Sequence, residues 1–139
     1  MPFWFWRKRP SRTYTDPELG ELEHEVGFWG GSKRLEGIGE LLIDIEGDSV
    51  KPEESRLQLA KSILSQFGTY LSAAKNYLKT QDLGSQFGNP EAGELTIDGF
   101  WVMKEQGVFE LHFGLSKWPD ASITVIFRGG HPVEVMCGD

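Results

Sequence analysis

Three histidines and a scatter of carboxylates are the residues of this chain whose chemistry could reach beyond packing. His24 lies in "ELEHE", His112 in "FELHF" and His131 in "GGHP". Glu110 and His112 flank Leu111, so in a strand they share one face, about 7 Å apart. A metal site would need two of the histidines in one shell, with a carboxylate such as Glu110 or Glu134. The plainer reading is a solvated sheet face and a turn histidine, and no metal ligand is assigned. Asp44 and Glu46 in "ELLIDIEG" also share a strand face. Such a pair does acid–base work only where its surroundings split the two pKa values. Cys137 falls on an inward parity with no histidine or helix start placed to activate it, which reads as a packed thiol. No phosphate-binding, dinucleotide, zinc-protease, dithiol or nucleophile-elbow motif is present, so no catalytic residue and no cofactor is assigned.

The elements that must position these groups follow from hydrophobic period. "ELEHEVGFWGG" reads as a strand and "SKRLEGIG" as a turn-rich connection. In "ELLIDIEG" Leu41, Ile43 and Ile45 point to one side and Asp44 and Glu46 to the other. Over residues 52–80 the period changes to that of a helix. Leu57, Ala60, Ile63, Leu64, Phe67, Leu71, Ala74 and Leu78 form one apolar stripe, and Gly68 is the place for a bend. A glycine- and asparagine-rich loop follows, and then period two returns. "GELTIDGFWVMK" puts Leu95, Ile97, Trp101 and Met103 on one side. "GVFELHFGL" and "ASITVIFRG" do so with Phe109, Leu111, Phe113 and Leu115, and with Ile123, Val125 and Phe127; "HPVEVMCGD" adds Val133, Val135 and Cys137. The order β-β-α-β-β-β-β predicts an α+β fold, an antiparallel sheet with one long helix packed on one face.

Composition bounds the class. With 139 residues the chain is one domain, and it needs no metal or disulfide to fold. Its single cysteine excludes an internal disulfide and points to a reducing, cytoplasmic setting. No stretch approaches the ~20 apolar residues of a membrane-spanning helix. The net charge of −7 is uneven: residues 1–12 carry four basic groups and no acidic one, and all 21 acidic groups lie beyond them. An acidic body argues against nucleic acid and suits a protein partner with a basic face.

The aromatic residues indicate where such a partner would touch. "FWGG" sets Phe28 and Trp29 at a strand end, where only one of the two can face the core, and "SKWPD" sets Trp118 at a hairpin tip. Aromatic groups in such places are enriched in binding surfaces. The outward parity of the final sheet includes Phe100, Val102, Val108, Ile126 and Met136, too apolar for a plain solvated face. The chain opens with "MPFWFWRKRP", within an arm of residues 1–18, ahead of a domain of residues 19–139. Phe3, Trp4, Phe5 and Trp6 with Arg7, Lys8 and Arg9 suit either docking on protein, its own sheet face or a neighbouring chain, or peripheral attachment to an anionic membrane.

"FWGGSKRLEGIGELLIDIEG", "KPEESRLQLAKSIL" and "WPDASITVIFRGGHPVEVMCGD" resemble segments of small bacterial proteins of the domain-of-unknown-function kind, over about residues 22–139. The resemblance implies an immunity or accessory role beside a toxin. Three function classes are therefore carried forward. The first is a non-enzymatic protein-binding domain, with Phe28, Trp29, Trp118, Asp44, Glu46 and Ile126 as contact candidates. The second is a small enzyme or metal-binding protein with a site at His112, Glu110 and His131. The third is a self-assembling structural protein, such as a homodimer, in which loss of the dimer on Ile126→Lys would point to the sheet face.

Overall fold

A computed structural model describes residues 12–48, 50–81 and 95–138. Eight strands form one sheet in sequential order: β1 (Thr13–Asp16), β2 (Gly20–Glu25), β3 (Phe28–Leu35), β4 (Gly39–Glu46), β5 (Leu95–Val102), β6 (Val108–Leu115), β7 (Trp118–Arg128) and β8 (His131–Gly138). Between β4 and β5 come two helices, α1 (Glu54–Ser65) and α2 (Phe67–Thr80).

The expected α+β fold is thus corrected. The described residues are mostly sheet, 54% strand against 23% helix, and the sheet is mixed. All neighbours pair antiparallel except β4 and β5, which run parallel, Leu42 against Gly99 and Ile45 against Val102. Parallel neighbours need a long crossover, and the helical segment supplies it by passing over one face and returning the chain to run alongside β4. The single long helix is two, broken at Gln66 (φ −119°, ψ 26°) rather than at Gly68. "ELEHEVGFWGG" is not one strand but a hairpin: Gly27 adopts φ +88°, and Val26 sits at the turn, 96% exposed. Residues 13–16, read as part of the arm, are the edge strand β1. The aromatic and basic residues Phe3 to Arg9 and the loop after α2 lie outside the described residues.

The helices bury one face of the sheet. Leu57, Ala60, Ile63, Phe67, Ala74 and Leu78 of the helical stripe are buried against Leu41, Ile43 and Ile45 and against the inward residues of β5–β7. Phe67 meets Phe100 at 6.3 Å between centroids, and Tyr70 packs edge-on against Phe109 and Phe127, which stack at 4.7 Å. β5 departs from simple alternation. A bulge between Ile97 and Gly99 flips its parity, so Phe100 and Val102 enter the core while Trp101 turns to the other face. This corrects the sequence-based sides of all three.

Two polar clusters fasten the helices to the sheet. At the β4 end, Arg56 donates to the carbonyl of Glu46, and the Glu46 carboxylate accepts the backbone N–H of Lys104. At the β1–β2 turn, "TDPELG", Asp16 accepts the N–H groups of Glu18 and Leu19 at 2.8 and 3.0 Å and pairs with Lys61 of α1 at 2.8 Å. Burial pushes the Asp16 carboxyl up, but the Lys61 hydrogen bond and the two backbone donors outweigh it and leave it below its ordinary value. Replacing Asp16 with asparagine is therefore expected to lower stability by about 2 kcal/mol at neutral pH. A depressed carboxyl stabilises above its unfolded-state value, near 4, and that contribution is lost as pH falls through the folded-state value. Denaturant titrations at pH 7 and pH 3 should show the gap between native and Asp16→Asn chains narrowing in acid. An equal gap at both pH values would remove the ion pair from the account.

Candidate functional site

The second face of the sheet carries no helix among the described residues, and its residues follow from the strand registers. Across the middle run Gly30, Asp44, Trp101, Glu110, Ile126 and Glu134 in register, with Leu42, Gly99, His112, Thr124 and Met136 in the next row. Alternation then places Glu21, Glu23 and Glu25 of β2 on this face, with Glu40 and Glu46 flanking Asp44 on β4. Asp98 joins them at the bulge. Among the described strand residues of this face only Arg34 and Arg128 supply fixed positive charge. The open face is therefore strongly acidic, and its middle is aromatic: Phe28 meets Trp101 edge-on at 5.8 Å, and the His112 ring lies 5.9 Å from Trp101.

Between β4, β5 and β6 this face dips into a shallow depression of about 250 Å³, lined by Leu42, Asp44, Asp98, Gly99, Phe100, Trp101 and His112. Gly99 makes the floor possible, because any side chain there would collide with the backbone of Leu42. Gly30, beside Asp44, leaves room for its carboxylate in the same way. No described residue donates a hydrogen bond to the Asp44 or Asp98 carboxylate. Burial lifts both carboxyls above their ordinary value, and His112 offsets part of the rise in each. His112 Nε2 lies 3.0 Å from Glu110 Oε1, which fixes the imidazole at the rim. The indole nitrogen of Trp101 is buried and meets no acceptor among the described residues.

The other sequence-based candidates fall apart in space. The three histidines do not converge. His24 lies on the helix side, edge-on to Trp29 at 4.8 Å, and His131 opens β8 opposite Arg128, four residues along β7 from the partner of His112. The His112–Glu110–His131 site does not form, and no group of three or more potential metal ligands occurs among the described residues. Among the described residues the lining of the depression includes no hydroxyl or thiol. Trp29 is fully buried in the core and offers nothing to a partner, whereas Phe28 is on the open face, half-buried. Ile126 is also on the open face, and Trp118 is exposed at the start of β7. Cys137 is exposed on the edge strand β8 rather than packed, and partial burial of its sulfur pushes the thiol pKa up, away from reactivity. Sequence reasoning missed Asp98, Leu42 and Gly99. The glycine within "TIDGFW" was the available signal, since an isolated glycine in a strand marks a bulge or a close backbone approach.

A second open hollow, about 410 Å³, lies between the start of α1 and the β5–β6 turn. Its Arg56 is already engaged with Glu53 and with the Glu46 carbonyl, so its polar groups hold the fold together. No helix among the described residues is long and apolar enough to cross a membrane. Compared with protein-family models, with curated proteins and with solved structures, the chain matches none.

Proposed function

We propose that this protein is a non-enzymatic binding domain that acts by laying the open face of its sheet, centred on Asp44, Trp101 and Glu110, against a basic protein partner. The observation that carries the reading is the sidedness of charge. Carboxylates crowd a face that no helix among the described residues covers, around an aromatic centre, where their mutual repulsion opposes folding and a cationic surface would relieve it. Apolar groups at the centre, Phe28, Trp101, Ile126 and the exposed Leu42 and Met136, supply area to bury, with charge around them. Pairing of two copies through this face is disfavoured. A two-fold contact sets the same patch against itself, carboxylate on carboxylate. Occlusion of a basic toxin by an immunity or accessory protein, within a reducing compartment, is the mode of action that fits such a face.

The test is capture from an extract of the source organism at about 50 and 500 mM salt, comparing the native chain with the Asp44→Lys/Glu110→Lys variant. Capture of a basic protein should weaken at least about tenfold at high salt and be lost in the variant, because screening and charge reversal both remove the complementarity. A partner held equally at both salts and by both chains would overturn the reading.

A further inference from the structure

Among its described residues the open face offers a place where a single partner side chain could be seated rather than merely covered. The depression at Trp101 has an aromatic wall, an apolar rim at Leu42 and two carboxylates that meet no donor among the described residues. A ligand for it must be cationic, to answer Asp44 and Asp98. It must also be flat and weakly hydrated, to lie along an indole in a hollow this shallow. A guanidinium meets both conditions: it offers its N–H fork to carboxylates and stacks on aromatic faces, whereas an ammonium holds its water more tightly.

We propose that the Trp101 depression receives an arginine side chain of the docked partner, its guanidinium lying against the indole and donating to Asp44 and Asp98. The assignment rests on the docking role of this face and names the chemistry of its central contact. The raised carboxyl pKa values agree with it, since a seated cation would draw both back toward the ionised form. His112, tied to Glu110 at the rim, limits how far the side chain can slide along the sheet.

The site can be tested without knowing the partner. The full chain, labelled with nitrogen-15, is titrated with methylguanidinium while the Trp101 indole N–H and the His112 amide are followed by NMR. The signals should shift saturably, with half-saturation at about 1–10 mM, an affinity fitting one small cation. Methylammonium should bind at least about fivefold more weakly, because it cannot stack as a plane. The isosteric variants Asp44→Asn and Asp98→Asn should each weaken methylguanidinium about tenfold. Linear shifts without saturation, equal response to methylammonium, or binding by both variants as tight as by the native chain would each overturn the guanidinium site. Removal of residues 2–9 separates the sources. If it moves the unliganded Trp101 signal and tightens methylguanidinium binding, the chain's own arginines are the occupant and the partner assignment fails. A salt-sensitive partner captured equally by the Asn variants would sink this site while leaving the docking face standing. Saturable methylguanidinium binding with no partner captured at either salt would do the reverse.

Discussion

Alanine at position 99 is expected to destabilise the protein by about 4 kcal/mol or more, although it adds a single methyl group. A Cβ on Gly99 would lie 2.1 Å from the carbonyl oxygen of Leu42 and 2.8 Å from its carbonyl carbon and its nitrogen. All three are backbone atoms of β4, so no side-chain rotation relieves the clash. Either β5 moves off β4 and loses the parallel ladder between Leu42 and Ile45, or the bulge reforms elsewhere and turns Trp101 and Phe100 to the wrong faces. Both outcomes reach the core and the depression together. Natural stabilities are about 5–15 kcal/mol, so the loss would take a large share of the total and lower the melting midpoint by about 10–20 °C. The control is Gly68→Ala in α2, where a Cβ meets nothing within 4 Å. That change should be neutral or stabilise by up to about 1 kcal/mol, since alanine loses less entropy in a helix. A Gly99→Ala chain that melts with the native protein would show that β4 and β5 do not approach as described.

The same glycine marks where the sequence stops being legible. Alternation in "ELLIDIEG", "GVFELHFGL" and "ASITVIFRG" identified the buried sides of β4, β6 and β7, because these strands have one dry and one open face, and helical spacing identified the stripe of α1 and α2. Alternation states which residues share a side; it does not state which strand lies beside which, or in what direction. The β4–β5 parallel pair therefore stayed hidden, although a helical segment between consecutive strands is what such a pair requires. The bulge before Gly99 shifts the period by one residue, and a reading that assumes unbroken alternation then inverts everything beyond it. That is how Phe100 and Val102 came to be read as outward and Trp101 as inward. The candidate site suffers most, since it is built around the shift. Asp44, Glu110 and His112 lie on strands that alternate normally, and their shared face was readable. Asp98 and Trp101 lie at the bulge, and only three-dimensional pairing brings them beside Asp44. The turn at Val26–Gly27 was obscured because Val26 has the composition of a strand, while the positive φ of Gly27 is a backbone property that periodicity does not carry.

Replacing Trp29 should have the second large effect, and the choice of replacement separates packing from polarity. Trp29 is fully buried on the helix face, opposite Ile45 across the β3–β4 pair and edge-on to the His24 ring. Truncation to alanine removes the whole indole from a position between β2 and β4 and is expected to cost about 3–5 kcal/mol, the range for a large aromatic lost from a core. Phenylalanine leaves a much smaller void. It also removes an indole N–H that is buried with no acceptor among the described residues, a group whose desolvation costs about 1–3 kcal/mol. The two effects oppose each other, so Trp29→Phe should fall within about 1 kcal/mol of the native chain. Denaturant midpoints of the three proteins, compared at unchanged slope, measure both differences. A phenylalanine variant nearly as unstable as the alanine variant would mean that the indole nitrogen holds a hydrogen bond after all. An alanine variant of native stability would place Trp29 outside the core and return it, with Phe28, to the binding face.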